Sequence, residues 1–272
     1  METEVLLEQM CQVVREAGEL IRSCSFVGEM KAKAGSANFV TKYDSMVQNF
    51  LIKKLTALVP DAAFIGEEDG YSEGKIAEGK TFIIDPIDGT TNFICGFPVC
   101  GICVGLAEWG IVEIGVVYNP YREELFAARR GGGAYLNGKP LAFLDHSLKE
   151  GVLCMDTAPY TPEIRKEIFE RLLKLSHLCM DMRSIGSAAL SICYVACGRS
   201  AAYLSPRLCV WDYAAASVIL TEAGGVITGW DGKDLELATG VSVLAGAPKA
   251  YKEVMDSTCL ESHSELQSHE RS

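Results

Sequence analysis

Two carboxylates, Asp85 and Asp88, lie three positions apart at the end of an apolar run, and a Gly89-Thr90-Thr91 turn follows at once. Carboxylate oxygens suit a hard cation, and amides exposed where a helix opens suit a phosphate, so these residue types in this order describe metal-assisted phosphate chemistry. Thr81 to Ile84 is β-branched and aromatic and reads as a buried strand; Pro86, with no amide to give a ladder, is expected to stop it. Were the strand to continue, the offset of three would turn Asp85 and Asp88 to opposite faces. A turn through Pro86 and Ile87 is therefore expected to bring both to one side, with Gly89 allowing a ligand close to the chain. The same run also describes a plain Asp-Pro turn, so its partners in the rest of the chain matter.

Other acidic residues are candidate partners. Glu67 sits in the glycine-bounded loop Gly66-Glu-Glu-Asp-Gly70, which equally suits a solvated acidic loop. Asp212 opens an Ala-rich helix after Trp211, where an N-cap carboxylate is also favoured, and Asp44 is a second possible N-cap. Only His146, His177, His263 and His269 occur, none near Asp85 in sequence, which argues against a histidine zinc site or a Ser-His-Asp triad. An oxygen donor set suits Mg²⁺ or Mn²⁺. Arg129 to Gly138 is glycine-rich but lacks the Lys-Ser/Thr ending of a P-loop, so it reads as a turn.

The elements that must position these residues follow from periodicity. Leu6, Met10, Val13, Val14, Ala17, Leu20 and Ile21 mark an amphipathic helix over 4–24, and a second is predicted over 45–58 with Ser45 and Gln48 as a capping box. Strands at 99–106 and 111–118 flank Ala107-Glu-Trp-Gly110 as a hairpin, with a further strand at 124–128, in a sheet expected to be antiparallel. Beyond, strands at 152–155, 182–185, 201–204, 226–228 and 241–245 alternate with helices at 163–175, 188–197, 214–223 and 251–255. This divides the chain into an N-terminal half (1–147), a C-terminal half (148–257) and a polar tail (258–272) expected to fray.

At 272 residues and 49% apolar content the chain can bury a large core, and no apolar run reaches the roughly 20 residues of a membrane helix. A net charge of −11 excludes nucleic acid as the expected partner. The acidic opening Met1-Glu-Thr-Glu-Val lacks a secretory leader's basic stretch, and eleven cysteines without regular spacing suit a reducing compartment, so the expected location is cytoplasmic. Cys100-Gly-Ile-Cys103 lies in a strand-like run with its thiols facing opposite ways, as buried small hydrophobes rather than a redox pair.

Taken together, Gly66-Glu-Glu, Asp85-Pro-Ile-Asp-Gly-Thr-Thr-Asn-Phe93, Trp211-Asp212 and Glu222-Ala-Gly-Gly225 resemble, in order and spacing, the inositol monophosphatase family. The resemblance runs from the first helix to about residue 250 and includes Gly131 to Gly138. It implies an α/β fold of five layers, an α-β-α-β-α sandwich shared with fructose 1,6-bisphosphatase. It also implies Mg²⁺-dependent hydrolysis of a small phosphate monoester, foremost inositol 1-phosphate, with two or three ions per site, lithium sensitivity and a homodimer. By the resemblance, Glu67, Asp85 and the Ile87 carbonyl would hold one ion, and Asp85, Asp88 and Asp212 a second, with Glu67 helping to hold a third. Thr90 and Asp44 would orient water, Gly89 and Thr90 amides would hold phosphate, and Lys33 would stand near the site. Asp88, Gly186, Ser187, Ala188, Ser205 and Arg207 fall on the substrate side.

Two positions depart from the pattern. Asn38 stands where animal members carry Asp, and Ser205, six residues before Trp211, stands where they carry a Glu that contacts inositol hydroxyls. Arg207 or Arg183 could then pair with a second phosphate, which would favour fructose 1,6-bisphosphate or a broad sugar phosphatase, unless each is a solvated surface cation. A catalytically silent metal-binding regulatory protein is the alternative of another class; loss of a metal carboxylate would be its mark, and none is lost.

Overall fold

The computed structural model describes residues 2–23, 30–32, 39–68, 70–71, 76, 78–257 and 259–260; Lys33, Asn38 and the segment after 260 lie outside them. The chain opens with α1 (Glu2–Arg22), β1 (Met30–Ala32), β2 (Phe39–Thr41), α2 (Lys42–Leu58) and β3 (Ala63–Gly66). There follow β4 (Lys80–Asp88), α3 (Thr90–Cys95), β5 (Gly101–Glu108), β6 (Ile111–Asn119), β7 (Glu124–Arg129), β8 (Ala134–Leu136) and β9 (Lys139–Pro140). The second half contains β10 (Val152–Met155), α4 (Arg165–Ser176), β11 (Asp181–Arg183), α5 (Ala188–Ala196) and β12 (Ala202–Leu208). It ends with α6 (Val210–Ala223), β13 (Val226–Thr228), β14 (Val241–Gly246) and α7 (Pro248–Asp256).

Among the described residues, β3 to β9 form one sheet in sequence order, antiparallel except where β3 runs parallel to β4. The other sheet has the order β11-β10-β12-β14-β13, parallel across its first three strands and antiparallel beyond. Period-two alternation separates the cores on the first sheet's two faces. Phe82, Ile84, Ile102 and Val104 face α1 and α2, meeting Met10, Val14, Val47 and Leu51. Ile83 and Cys103 face the other way, toward α5 and α6, whose far side meets Tyr203 and Val243 of the second sheet. Ile168, Leu172 and Val254 of α4 and α7 then cover Leu153 and Leu204 on that sheet's outer face. The layers are thus α-β-α-β-α, as the resemblance implies. Cys100 and Cys103 fall in different cores, buried on opposite faces. The expected hairpin turns at Trp109-Gly110, both at positive φ (52° and 78°), the conformation that matches strand twist in a two-residue loop.

The central helix α6 lies unusually close to the first sheet. Gly105 and Gly115 present no side chain beneath Ala214 and Ala215, and a Cβ on Gly115 would stand 2.1 Å from Ala215 O. At its other end, Glu222 accepts hydrogen bonds from the amides of Gly131 and Gly133, both at 2.8 Å. The glycine-rich turn therefore does bind an anion, but that anion is the protein's own carboxylate.

Several sequence expectations are corrected. β4 does not stop at Pro86 but runs to Asp88. α2 begins at Lys42, so Ser45 lies inside the helix and Gln48 turns inward instead of closing a capping box. α6 begins at Val210, which makes Asp212 its third residue. Folded structure also extends into the expected tail, where Cys259 and Leu260 are buried and Arg171 Nη1 donates to Cys259 O at 2.6 Å.

Candidate active site

A β-bulge brings Asp85 and Asp88 into one cleft. Asp85 pairs with Cys103 and Asp88 with Gly101, so three steps along β4 match two along β5. The extra residue resets the alternation that would have separated the carboxylates, and it is where Pro86 is tolerated. Asp85 Oδ1 accepts from Ile87 N at 3.0 Å, which holds the bulge from within. Gly89 follows at φ 97°, and a Cβ there would stand 2.8 Å from Gly186 O, so only glycine lets α3 and the Gly186 turn approach. Asn92 of α3 reinforces that junction by donating to Val99 O (2.7 Å) and Ile185 O (2.6 Å).

Each remaining acid is placed by a different element. Asp88 is grasped by the N-terminus of α5: Ser187 Oγ and the amides of Ala188 (3.1 Å) and Ala189 (2.8 Å) all donate to it. Asp212 Oδ2 accepts from Cys209 N at 2.7 Å, so one oxygen ties the third residue of α6 back to the N-cap, which is Cys209 and not Asp212 as expected. Among the described residues no donor reaches Asp212 Oδ1 or Asp85 Oδ2. Glu67 follows β3, its amide donating to Ile84 O at 3.3 Å, and Gln48 clamps the next residue by bonding both Glu68 O (2.7 Å) and Glu68 N (3.0 Å). Asp44 is fully buried beneath the cleft; Thr90 Oγ1 lies 3.2 Å from its Oδ1 and 3.1 Å from Ile87 O, so its one proton serves either acceptor.

Glu67, Asp85, Asp88 and Asp212 line a cleft of about 740 Å³ together with Ile87, Gly89, Thr90, Gly186, Ser187, Ala188 and Arg207. Burial pushes Asp85 well above the ordinary carboxylate range, and the charges of Glu67, Asp88, Asp212 and Asp44 push it further. Asp212 is raised by burial and then by Asp88 and Glu67. Burial lifts Asp88 to about 6 against the opposing pull of its Ser187, Ala189 and Ala188 hydrogen bonds. Among the described residues no three acids are gathered into a cage that would hold an ion unaided. The all-oxygen donors, two of them with open lone pairs, instead fit Mg²⁺, which takes few carboxylates and keeps waters or substrate oxygens.

The profile of the inositol monophosphatase family matches residues 2–264. The chain belongs to that family. Inositol-1-monophosphatase of Bacillus subtilis is 35% identical over 244 residues, covering 89% of this chain and 92% of that one. Nus factor SuhB of Vibrio cholerae is 34% identical over 222 residues, covering 81% and 82%. The crystal structure of inositol monophosphatase II from Staphylococcus aureus superposes with a TM-score of 0.83 at 29% identity, covering 98% of both chains. This inositol monophosphatase family member is a phosphoric monoester hydrolase, in a family that generally depends on Mg²⁺ and acts on small phosphorylated substrates.

On the substrate side the family member departs from the sequence expectation. Ser205 is wholly buried and does not line the cleft; its hydroxyl donates to Asp156 Oδ2 at 3.1 Å. Arg207 is exposed at the cleft, whereas Arg183 pairs with Asp181 at 2.6 Å outside the lining. Sequence reasoning passed over Asp156, gave Asn92 no role of its own and assigned Gln48 to a helix cap. Asn92 stood inside a quoted motif, but nothing in local spacing announces the carbonyl of Ile185, 93 residues away.

Proposed function

We propose that this chain hydrolyses inositol 1-phosphate or a closely similar polyol phosphate in a Mg²⁺-dependent reaction, by in-line attack of water on phosphorus. One observation carries the reading: Glu67, Asp85, Asp88 and Asp212, drawn from both halves of the chain, face one cleft beside the Gly89-Thr90 turn. A phosphate monoester dianion repels an anionic nucleophile, so the site must neutralise charge and activate water at once. Two or three Mg²⁺ ions, or Mn²⁺ in their place, would be held by Glu67, Asp85, Asp88, Asp212 and the Ile87 carbonyl; when bound they supply Lewis acidity and acidify water. Glu67, Thr90 and Asp44 orient the attacking water: the Thr90 hydroxyl gives its proton to Asp44 or Ile87 O and leaves its lone pairs to receive the water's hydrogen. Gly89 and Thr90 amides hold the phosphate oxygens.

Lys33, for which the resemblance implies a place near the phosphate, is assigned there by that resemblance alone. A homodimer and lithium inhibition belong to the same reading, as does a cytoplasmic location, which the free thiols of the described cysteines support. Arg207 at the cleft favours a second reading, hydrolysis of fructose 1,6-bisphosphate or of sugar phosphates broadly. A phosphate-release panel with and without Mg²⁺ and Li⁺ distinguishes them, using inositol 1-phosphate, glycerol 2-phosphate, fructose 1,6-bisphosphate and 3′-phosphoadenosine 5′-phosphate. Release that does not require a divalent cation would sink the metal assignment, and preference for the bisphosphate would replace the first substrate by the second.

A further inference from the structure

The cleft wall built by the second sheet carries a fifth carboxylate, Asp156, directly after β10. Its amide donates to Leu204 O at 2.8 Å, so it sits beside Ser205 on the adjacent strand β12. Ser205 Oγ donates to Asp156 Oδ2 at 3.1 Å and Ala158 N to Asp156 Oδ1 at 3.0 Å, fixing the carboxylate from behind. The buried serine does not touch the cleft, whereas the aspartate it holds does. Position 205 thus carries a short hydroxyl turned away from the cleft, while the neighbouring strand leads into an acid at the wall.

This acid differs from Asp85 and Asp212 and resembles Asp88 in its hydrogen bonding. Asp85 and Asp212 are raised by burial and by neighbouring carboxylates, whereas Asp156 is raised by burial and accepts hydrogen bonds from Ser205 and Ala158. It is built as a fixed hydrogen-bond acceptor at the cleft wall, held through both of its oxygens. A carboxylate has about four acceptor positions, and two protein donors, one on each oxygen, leave positions for the cleft. Glu163, the other acid on this wall, is exposed.

We propose that Asp156 is a specificity-determining residue that reads the alcohol half of the substrate, accepting a hydrogen bond from a hydroxyl and disfavouring an alcohol that carries a second phosphate. The inference rests on the phosphomonoesterase reading above and names the substrate class that site selects: phosphate esters of neutral, polyhydroxylated alcohols. A second phosphate beside a carboxylate in a partly buried wall meets like-charge repulsion that water screens poorly.

The test compares wild-type protein with Asp156→Asn in Mg²⁺, using inositol 1-phosphate, fructose 1,6-bisphosphate and 4-nitrophenyl phosphate, whose alcohol has no further hydroxyl. Loss of a charge-assisted hydrogen bond should lower kcat/KM for inositol 1-phosphate about ten- to a hundredfold, mostly through KM, while 4-nitrophenyl phosphate changes by less than about twofold. The ratio of bisphosphate to inositol phosphate turnover should rise. Equal losses on all three esters would mark a structural role and overturn the proposal, as would an unchanged ratio. Ser205→Ala, which removes the bond from behind and keeps the charge, should give a smaller loss of the same selectivity. That variant carries the test if Asp156→Asn does not fold, and an unchanged selectivity there overturns the proposal. If wild-type protein releases phosphate from none of the three esters in Mg²⁺, the underlying reading fails; if it does and Asp156→Asn keeps the wild-type pattern, only the role of Asp156 fails.

Discussion

Gly115→Ala adds a single methyl group to a close-packed surface that has no room for it, and its effect should reach the cleft through α6. The new Cβ would stand 2.1 Å from Ala215 O, 2.6 Å from Val218 Cγ1 and 2.9 Å from Ala215 C. The nearest of these is backbone, so no rotamer change relieves it; reaching even 3.0 Å moves helix and sheet apart by about 0.9 Å. Overpacking of this kind costs about 1–3 kcal/mol, which for a chain of this size lowers Tm by roughly 2–4 °C per kcal/mol. Asp212 lies three residues before Ala215 on the same rigid helix, so the displacement is passed to a cleft carboxylate. A misplacement near 1 Å can cost about a hundredfold in rate, and kcat/KM should fall by about ten- to a hundredfold. Thermal melts and Mg²⁺-dependent phosphate release measure the two effects. Gly105→Ala is the control, because its Cβ would meet nothing nearer than Ala215 N at 3.4 Å, and it should change both by little. If Gly115→Ala melts within 1 °C of wild type at full activity, the close seat of α6 does not position Asp212 as argued.

Asp88→Asn should keep the fold, since one oxygen still accepts from α5, yet lower turnover by more than a hundredfold; near-normal phosphate release would refute its assignment. Glu222→Ala leaves the Gly131 and Gly133 amides without their carboxylate and should cost about 1–3 kcal/mol, read in a denaturant melt. The raised carboxylates set a pH dependence: folding favours protonated Asp85, Asp88 and Asp212, so without divalent cation their contribution to stability falls as pH rises above the ordinary carboxylate range, for Asp88 through about 6. Mg²⁺ removes that repulsion, so the rise in Tm on adding it should be larger at about pH 7.5 than at about pH 5, and a smaller rise at the higher pH would contradict the cluster's origin.

Much of the layer architecture was legible because helix and strand periodicities report burial, and α1, β5, β6 and α5 fall close to their expected positions. The boundaries near chemistry were less legible. Pro86 ends a strand by local rules, yet the pairing of β5 carries β4 through it as a bulge, which only the partner strand reveals. Ser45 with Gln48 has the pattern of a helix start, but Gln48 serves Glu68 across 20 residues and the helix begins earlier. Ser205 illustrates the same limit on the substrate side. Spacing from Trp211 located the position, while the inward turn of its side chain and the acid it holds depend on β10, a strand some 50 residues upstream.

Asp88 joins β4 to α5 as well as facing the cleft, since its oxygens accept from the amides at the N-terminus of that helix. Chemistry and assembly therefore share one functional group. Any change that alters the protonation of that carboxylate acts simultaneously on the seam between β4 and α5, so cation loading and the seating of α5 on β4 are thermodynamically linked, and each shifts the other by the same free energy.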